Sequence, residues 1–177
     1  MARDIDETGD GVQLDRRPLY GFDLRWISFG SPSAIVTSMA LIVGLDTATA
    51  GRATVLASLL IIGIADNLSD SLSVHIYQES ERLAQRHAFR TTIANFVSRF
   101  AVTASFFLFF FALPAAAAVT VCMVWGFVLL SVLSYLLAKV RGVGPLSEVL
   151  KHTGVALAVV LVSKVMGLAI HGLLGTL

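Results

Sequence analysis

Five apolar stretches, each close to the roughly twenty residues that cross a hydrocarbon core as a helix, occupy most of this chain. They run from about Ser31 to Ala48 (with Trp26 as the earliest start), Ala53 to Ile76, Ile93 to Leu113, Ala115 to Ala138 and Val149 to Leu174. Such segments have little choice of structure. Backbone N–H and C=O groups in lipid find no water, so each segment satisfies them within itself as an α-helix. The composition agrees: 56% of the 177 residues are hydrophobic, 14% are charged, and the mean hydropathy is +0.80. A soluble domain carries about a quarter of its residues as charges. The expected fold is therefore an all-α membrane protein with five transmembrane helices and a polar arm over residues 1–25. Residues 1–25 are polar and of mixed sign, with no early apolar core, so they do not read as a signal peptide. Pro114 punctuates the third and fourth segments, and Gly142, Gly144 and Pro145 interrupt the chain before the fifth. The lone Cys122 excludes an internal disulfide or a cysteine cluster for zinc. No internal repeat stands out, which leaves an inverted-repeat transporter unsupported.

The distribution of Lys and Arg orients these helices. Arg3, Arg16, Arg17 and Arg25 precede the first. Arg82, Arg86 and Arg90 follow the second, and Lys139, Arg141 and Lys151 follow the fourth. The opposite connections hold only Arg52. By the positive-inside rule the N-terminus is cytoplasmic and the C-terminus external. Short loops and compact size point to a bacterial inner membrane. Asp46 and Arg52 are placed to pair near the outer surface, and Arg99 reads as close enough to the inner surface to snorkel. The second segment is expected to continue as a polar helix from Gln78 to about Arg90, with Arg82, Arg86 and Arg90 as a basic ridge facing lipid head groups.

The second segment also carries the strongest functional signal. Asp66 and Asp70 interrupt an otherwise apolar run, and an aspartate at the bilayer centre opposes insertion by about 2.5–3.5 kcal/mol. Intramembrane acids usually face a partner charge, a cavity or an ion path. At 100° per residue Asp66, Ser69, Asp70, Ser73, Tyr77 and Glu81 share one face, with Asn67, Ser71 and Gln78 beside it. That polar arc calls for shielding from lipid. Hydrogen-bonded packing is the bland reading of the two aspartates; an ion path is the sharper one. Lys164, near the middle of the fifth segment, is expected at the depth of Asp66. It reads either as a fixed salt-bridge partner or as a charge that competes with a cation for the carboxylates. Ser33, Thr37 and Ser73 offer neutral oxygens. His75, Glu79 and Glu81 sit near the cytoplasmic end of the second helix as a candidate entrance, with oxygen and nitrogen ligands suited to a hard or borderline cation. His152 and His171 read as interfacial. The run Phe106 to Phe111 is lipid-facing or packing, and Cys122 and Met123 are packing residues before they are soft metal ligands.

Two stretches carry a family resemblance. Val36-Thr-Ser-Met-Ala-Leu-Ile-Val-Gly-Leu45 and Gly63-Ile-Ala-Asp-Asn-Leu-Ser-Asp-Ser-Leu-Ser73, followed by Ser80-Glu81, resemble the first two helices of the vacuolar iron transporter family. Ser163-Lys-Val-Met-Gly167 is similar, more weakly, to its fifth helix. About a third of the chain is covered. The resemblance implies five helices, a cytoplasmic N-terminus, and a homodimer with a path for Fe²⁺ or Mn²⁺ between subunits, exchanged for protons. The sequence departs from the family pattern at four places. Ser33 stands where the family has an acid, Val74 where it has methionine, Gln78 where it has glutamate, and Lys164 where it has tyrosine. The glutamate-rich cytoplasmic metal-binding domain of many members is absent. Asp66 aligns with an acidic or amide position, and Asp70 with a small residue or another acid.

The resulting expectation is a secondary transporter of divalent cations coupled to protons. Its ion path holds Asp66, Asp70, Lys164, Ser33, Thr37 and Ser73, and Asp66 and Asp70 are the metal-binding pair. The alternatives are the same scaffold moving another solute, or a non-transporting protein with a fixed Asp–Lys pair. No resident cofactor is implied. With no phosphate loop, nucleophile elbow or metalloprotease motif, the chain does not read as an enzyme. The basic ridge is explained by membrane topology, without nucleic acid.

Overall fold

The computed structural model describes residues 30–80 and 85–174; the arm over 1–25, Trp26, Glu81 and Arg82 lie outside them. Among the described residues six α-helices follow in order: α1 (Ser31–Thr47), α2 (Arg52–Ile61), α3 (Asn67–Ser80), α4 (Gln85–Ala112), α5 (Ala115–Arg141) and α6 (Pro145–Leu174). A π-helical turn, Ile62–Asp66, joins α2 to α3, so the two form one rod.

Among the described residues four helical stretches are long and apolar enough to span a membrane: Arg52–Tyr77, Phe89–Ala112, Ala117–Arg141 and Pro145–Leu173. The chain is thus an all-α integral membrane protein. The fifth expected span, α1, is a shorter apolar helix of 17 residues. At 1.5 Å per residue it is about 26 Å long, a little less than the roughly 30 Å hydrocarbon core.

The breaks fall where the punctuation lies. The C-terminal turn of α5 closes on Gly142, whose φ of 69° suits a residue without Cβ, and its N–H bonds to the carbonyl of Lys139. Pro145 opens α6, where a missing N–H does no harm. One boundary departs from expectation. The polar stretch from Gln78 to Arg90 does not belong to one helix: α3 is described to Ser80, Gln85–Arg90 lie in α4, which packs back against α3, and residues 81–84 lie outside the described residues. Arg90 therefore belongs to the third apolar segment. The apolar pattern becomes visible only at Ile93, yet the chain is already helical two turns earlier.

Helix α1 is the hub, packed against α6 most extensively and also against α2, α4 and α5. Its Ile35, Met39 and Ile42 are buried with Leu59, Phe106 and Leu130. The α1–α6 contact depends on small residues. A Cβ on Gly167 would lie 2.4 Å from the Gly44 carbonyl oxygen, and one on Gly44 would lie 2.5 Å from Ser163 Oγ. Ser163 Oγ donates to the Ala40 carbonyl at 2.5 Å. The phenylalanine run divides by helical period: Phe106 and Phe110 enter the core while Phe111 faces outward. Cys122 is fully buried against α4, with its Sγ 3.8 Å from the Phe106 carbonyl.

Arg52 does not pair with Asp46. Its Nη2 donates to the Phe110 carbonyl at 2.9 Å and to the Phe111 carbonyl, at the end of α4. These carbonyls have no partner further along the helix, and they form its negative pole. Because the guanidinium is largely exposed, Arg52→Ala is expected to lower stability by only about 1 kcal/mol, read as a fall in Tm in detergent with unchanged helix content.

Candidate functional site

The site begins with the π turn. Its wider winding frees the Gly63 carbonyl, which accepts a hydrogen bond from Asn67 Nδ2 at 2.7 Å. Gly63 is buried against Thr103 of α4, where a Cβ would lie 3.2 Å from the Thr103 methyl. Asp66 closes this turn. Asp70 follows one α-helical turn later, on the same side. π turns of this kind are common at functional sites.

Facing them on α4 are Asn95 and Arg99, also one turn apart and both buried. Arg99 is the largest fully buried side chain, at 1% exposure. Its Nη2 lies 2.8 Å from Asp66 Oδ2 and its Nη1 3.1 Å from Asp70 Oδ2. Nε donates to Asn67 Oδ1 at 2.9 Å, and Nη1 also donates to the Gly30 carbonyl at 2.8 Å. Asn95 Nδ2 reaches Ser71 Oγ at 3.3 Å and Asp70 Oδ2 at 3.4 Å. The chain can enter α1 here only without a side chain. A Cβ on Gly30 would sit 2.3 Å from Asn95 Oδ1 and 2.4 Å from Arg99 Cδ.

This corrects the reading of Arg99 as a snorkelling residue. It lies ten residues from one end of the Phe89–Ala112 span and thirteen from the other, close to its middle. Two carboxylates supply the countercharge that allows it to stay there.

Lys164 does not take that role. It is exposed and forms no ion pair among the described residues. It stands nineteen residues from one end of the Pro145–Leu173 span and nine from the other. Its neighbour Ser163 is bonded to Ala40. Ala40 is ten residues along α1 from Gly30, about 15 Å at the rise of an α-helix. Lys164 is therefore displaced toward the Arg52 end of the bundle, from where its long stem can carry the ammonium to the interface.

The two carboxylates sit at the edge of the buried row. Asn67 and Ser71 point inward, while Ser69, Ser73 and Tyr77 are exposed. The Asp66 and Asp70 side chains are 48% and 40% exposed. With Arg99 the cluster holds two negative charges and one positive, a net charge of −1. Ser73 Oγ turns back to the Ser69 carbonyl at 3.0 Å. Ser33 is exposed on α1 and Thr37 half-buried, and neither hydrogen-bonds to the carboxylates among the described residues.

The expected entrance residues come together only in part. His75 Nε2 lies 3.4 Å from Glu79 Oε1, and its Nδ1 lies 3.3 Å from Thr92 Oγ1 on α4. Leu68, Ser71, His75, Phe89, Thr92 and Phe96 line a groove of about 350 Å³ between α3 and α4. Its wall includes Ser71, so it borders the Asn95–Asp70 contact. Among the described residues no three His, Cys, Asp or Glu side chains gather as a metal-holding group. One copy of the chain thus offers a cation two carboxylates, each already sharing one oxygen with Arg99.

Sequence reasoning missed Arg99 and Asn95 as parts of the site and placed Asn67 only beside the polar face of the second segment. The available signal was the Asn95–Arg99 pair at helical spacing within an apolar stretch, matched to Asp66 and Asp70 at the same spacing. Compared with protein-family models, curated protein sequences and solved structures, the chain matches none of them.

Proposed function

We propose that this protein is a dimeric secondary transporter in which Asp66 and Asp70 bind a divalent cation of the Fe²⁺ or Mn²⁺ type, exchanged for protons. The observation that carries this reading is the half-exposure of two carboxylates within a membrane-spanning helix. Charged groups at that depth are costly where they meet lipid, so the open face of α3 calls for a polar cover. A second copy of the chain, laid against the same face, brings two clusters together. Each has a net charge of −1, and the pair matches one divalent cation. The carboxylate oxygens left free by Arg99 are hard ligands suited to such an ion. Resemblance to the vacuolar iron transporters supports the same assignment. The groove beside His75 and Glu79 then serves as the approach from the cytoplasmic side, in a bacterial inner membrane with the N-terminus inside.

Uptake of Mn²⁺ and Fe²⁺ into proteoliposomes carrying an imposed pH gradient tests this function. The intact protein is expected to move the metal, and Asp66→Asn to reduce the flux by at least about tenfold, since one interaction with a charged group is worth roughly 1.5–3 kcal/mol. An absence of Mn²⁺, Fe²⁺ and proton flux from the intact protein would refute it.

One observation favours a second reading, a non-transporting protein. Arg99 is held by four separate groups and fully buried, as a permanent bolt between helices is held. That reading predicts a stable protein with no flux, in which the Asp66 and Asp70 variants change stability alone.

A further inference from the structure

We propose that Arg99 is a resident cation that limits how tightly the carboxylate pair holds its cargo, and so sets the rate of cargo release; this rests on the carrier reading above. The geometry separates two tasks within one guanidinium. Nη1 and Nη2 each approach a single carboxylate oxygen, Oδ2 of Asp70 and Oδ2 of Asp66. The Oδ1 atoms of both residues accept no hydrogen bond among the described residues. Two free oxygens one helical turn apart are thereby left at the exposed edge of the site.

The other anchors of Arg99 do not involve the carboxylates. Nε bonds to Asn67, which the Gly63 carbonyl holds in turn, and Nη1 bonds to the Gly30 backbone. Gly30 lies directly on its stem, where an added Cβ would meet Arg99 Cδ at 2.4 Å and Cγ at 2.9 Å. Arg99 therefore stays in place when a cation arrives at the free oxygens. The guanidinium brings a full positive charge to the site.

A fixed positive charge beside a cation site has two effects. It weakens cargo binding by direct repulsion. It also leaves the empty site with one uncompensated charge instead of two, a state less costly at mid-membrane. Conduction and transport both require binding favourable enough for entry and weak enough for exit. In this chain Arg99 supplies the second condition. It is a positioning and affinity-setting residue, acting through Asp66 and Asp70.

Saturation curves for Mn²⁺ uptake into proteoliposomes test the proposal on the full chain. At a separation of a few ångströms and an effective dielectric near 20, removal of a unit charge is expected to change affinity by at least about tenfold. Arg99→Gln is therefore expected to lower KM by at least about tenfold and to lower the maximal rate as well, because cargo leaves slowly. Arg99→Lys retains the charge and is expected to keep KM within about threefold of the parent. A merely structural role predicts a lower rate or yield with KM unchanged, and that result overturns the proposal. So does a Lys variant whose KM falls as far as that of the Gln variant. If Arg99→Gln does not fold, Asn95→Asp adds a negative charge beside Asp70 with Arg99 intact. A fall in its KM supports the proposal and an unchanged KM overturns it. Uptake by the parent with unshifted variants refutes this inference alone, whereas no uptake by the parent removes the carrier reading and the inference together.

Discussion

Replacing Asp66 and Asp70 together with asparagine is expected to destabilise the protein by about 3–5 kcal/mol, because it leaves Arg99 as an uncompensated charge in the membrane interior. Either single replacement is expected to cost only about 1 kcal/mol. Each carboxylate is roughly half exposed, and the one that remains still neutralises the guanidinium. The double variant should therefore lose well over the sum of the singles. Non-additivity of this kind is the signature of residues that share one partner. Adding Arg99→Gln to the double variant removes the orphaned charge and is expected to recover most of the loss. Reversible unfolding in mixed micelles, followed by circular dichroism, measures all four proteins. If the double variant costs no more than its parts, Arg99 is not held by the two carboxylates jointly.

The second large effect lies at the seam between α1 and α6. Gly167→Leu is expected to cost about 3 kcal/mol, at the upper end of overpacking. The obstacle is backbone. A Cβ at position 167 meets the Gly44 carbonyl oxygen at 2.4 Å, the Thr47 Cβ at 2.9 Å and the Ala48 nitrogen at 3.2 Å. No rotamer change relieves such a contact, so α1 and α6 must separate. The consequence reaches the candidate site, because α1 begins at Gly30, whose carbonyl holds Arg99. Gly154→Ala, on the same helix, is the control. Nothing lies within 4 Å of a Cβ there, and the change is expected to be neutral or to stabilise by up to about 1 kcal/mol through helix propensity. Thermal unfolding of the two variants in one detergent separates crowding from helix propensity. Equal Tm values would mean that the close approach of α1 and α6 does not support the fold.

Much of the architecture was legible from local chemistry. Lipid denies water to the backbone, so each long apolar run becomes a helix whatever its neighbours do. The turn at Gly142 and the start at Pro145 were visible for the same local reason. Asp66 and Asp70 stood out because a charge in such a run needs a counterpart.

What the sequence could not show was which counterpart. Four features of the final arrangement depend on the axial stagger of packed helices. Arg99 lies well inside α4 because the chain is already helical at Gln85, before its apolar pattern begins. Gly30 meets Arg99 because α1 starts at the level of the carboxylates. Arg52 reaches the end of α4 and leaves Asp46 aside. Lys164, central in a segment drawn from its apolar residues alone, is displaced once α6 is seen to start at Pro145 and to dock through Ser163 and Gly167 on Ala40 and Gly44. The sequence by itself determined the helices and the need to neutralise two acids within an apolar helix, because both follow from the free energy of each group in lipid. Only the tertiary structure decided that Arg99 meets this need, because the pairing of charges is set by how α3 and its π turn pack against α4, where Gly63 lies on Thr103 and Arg99 faces Asp66 and Asp70.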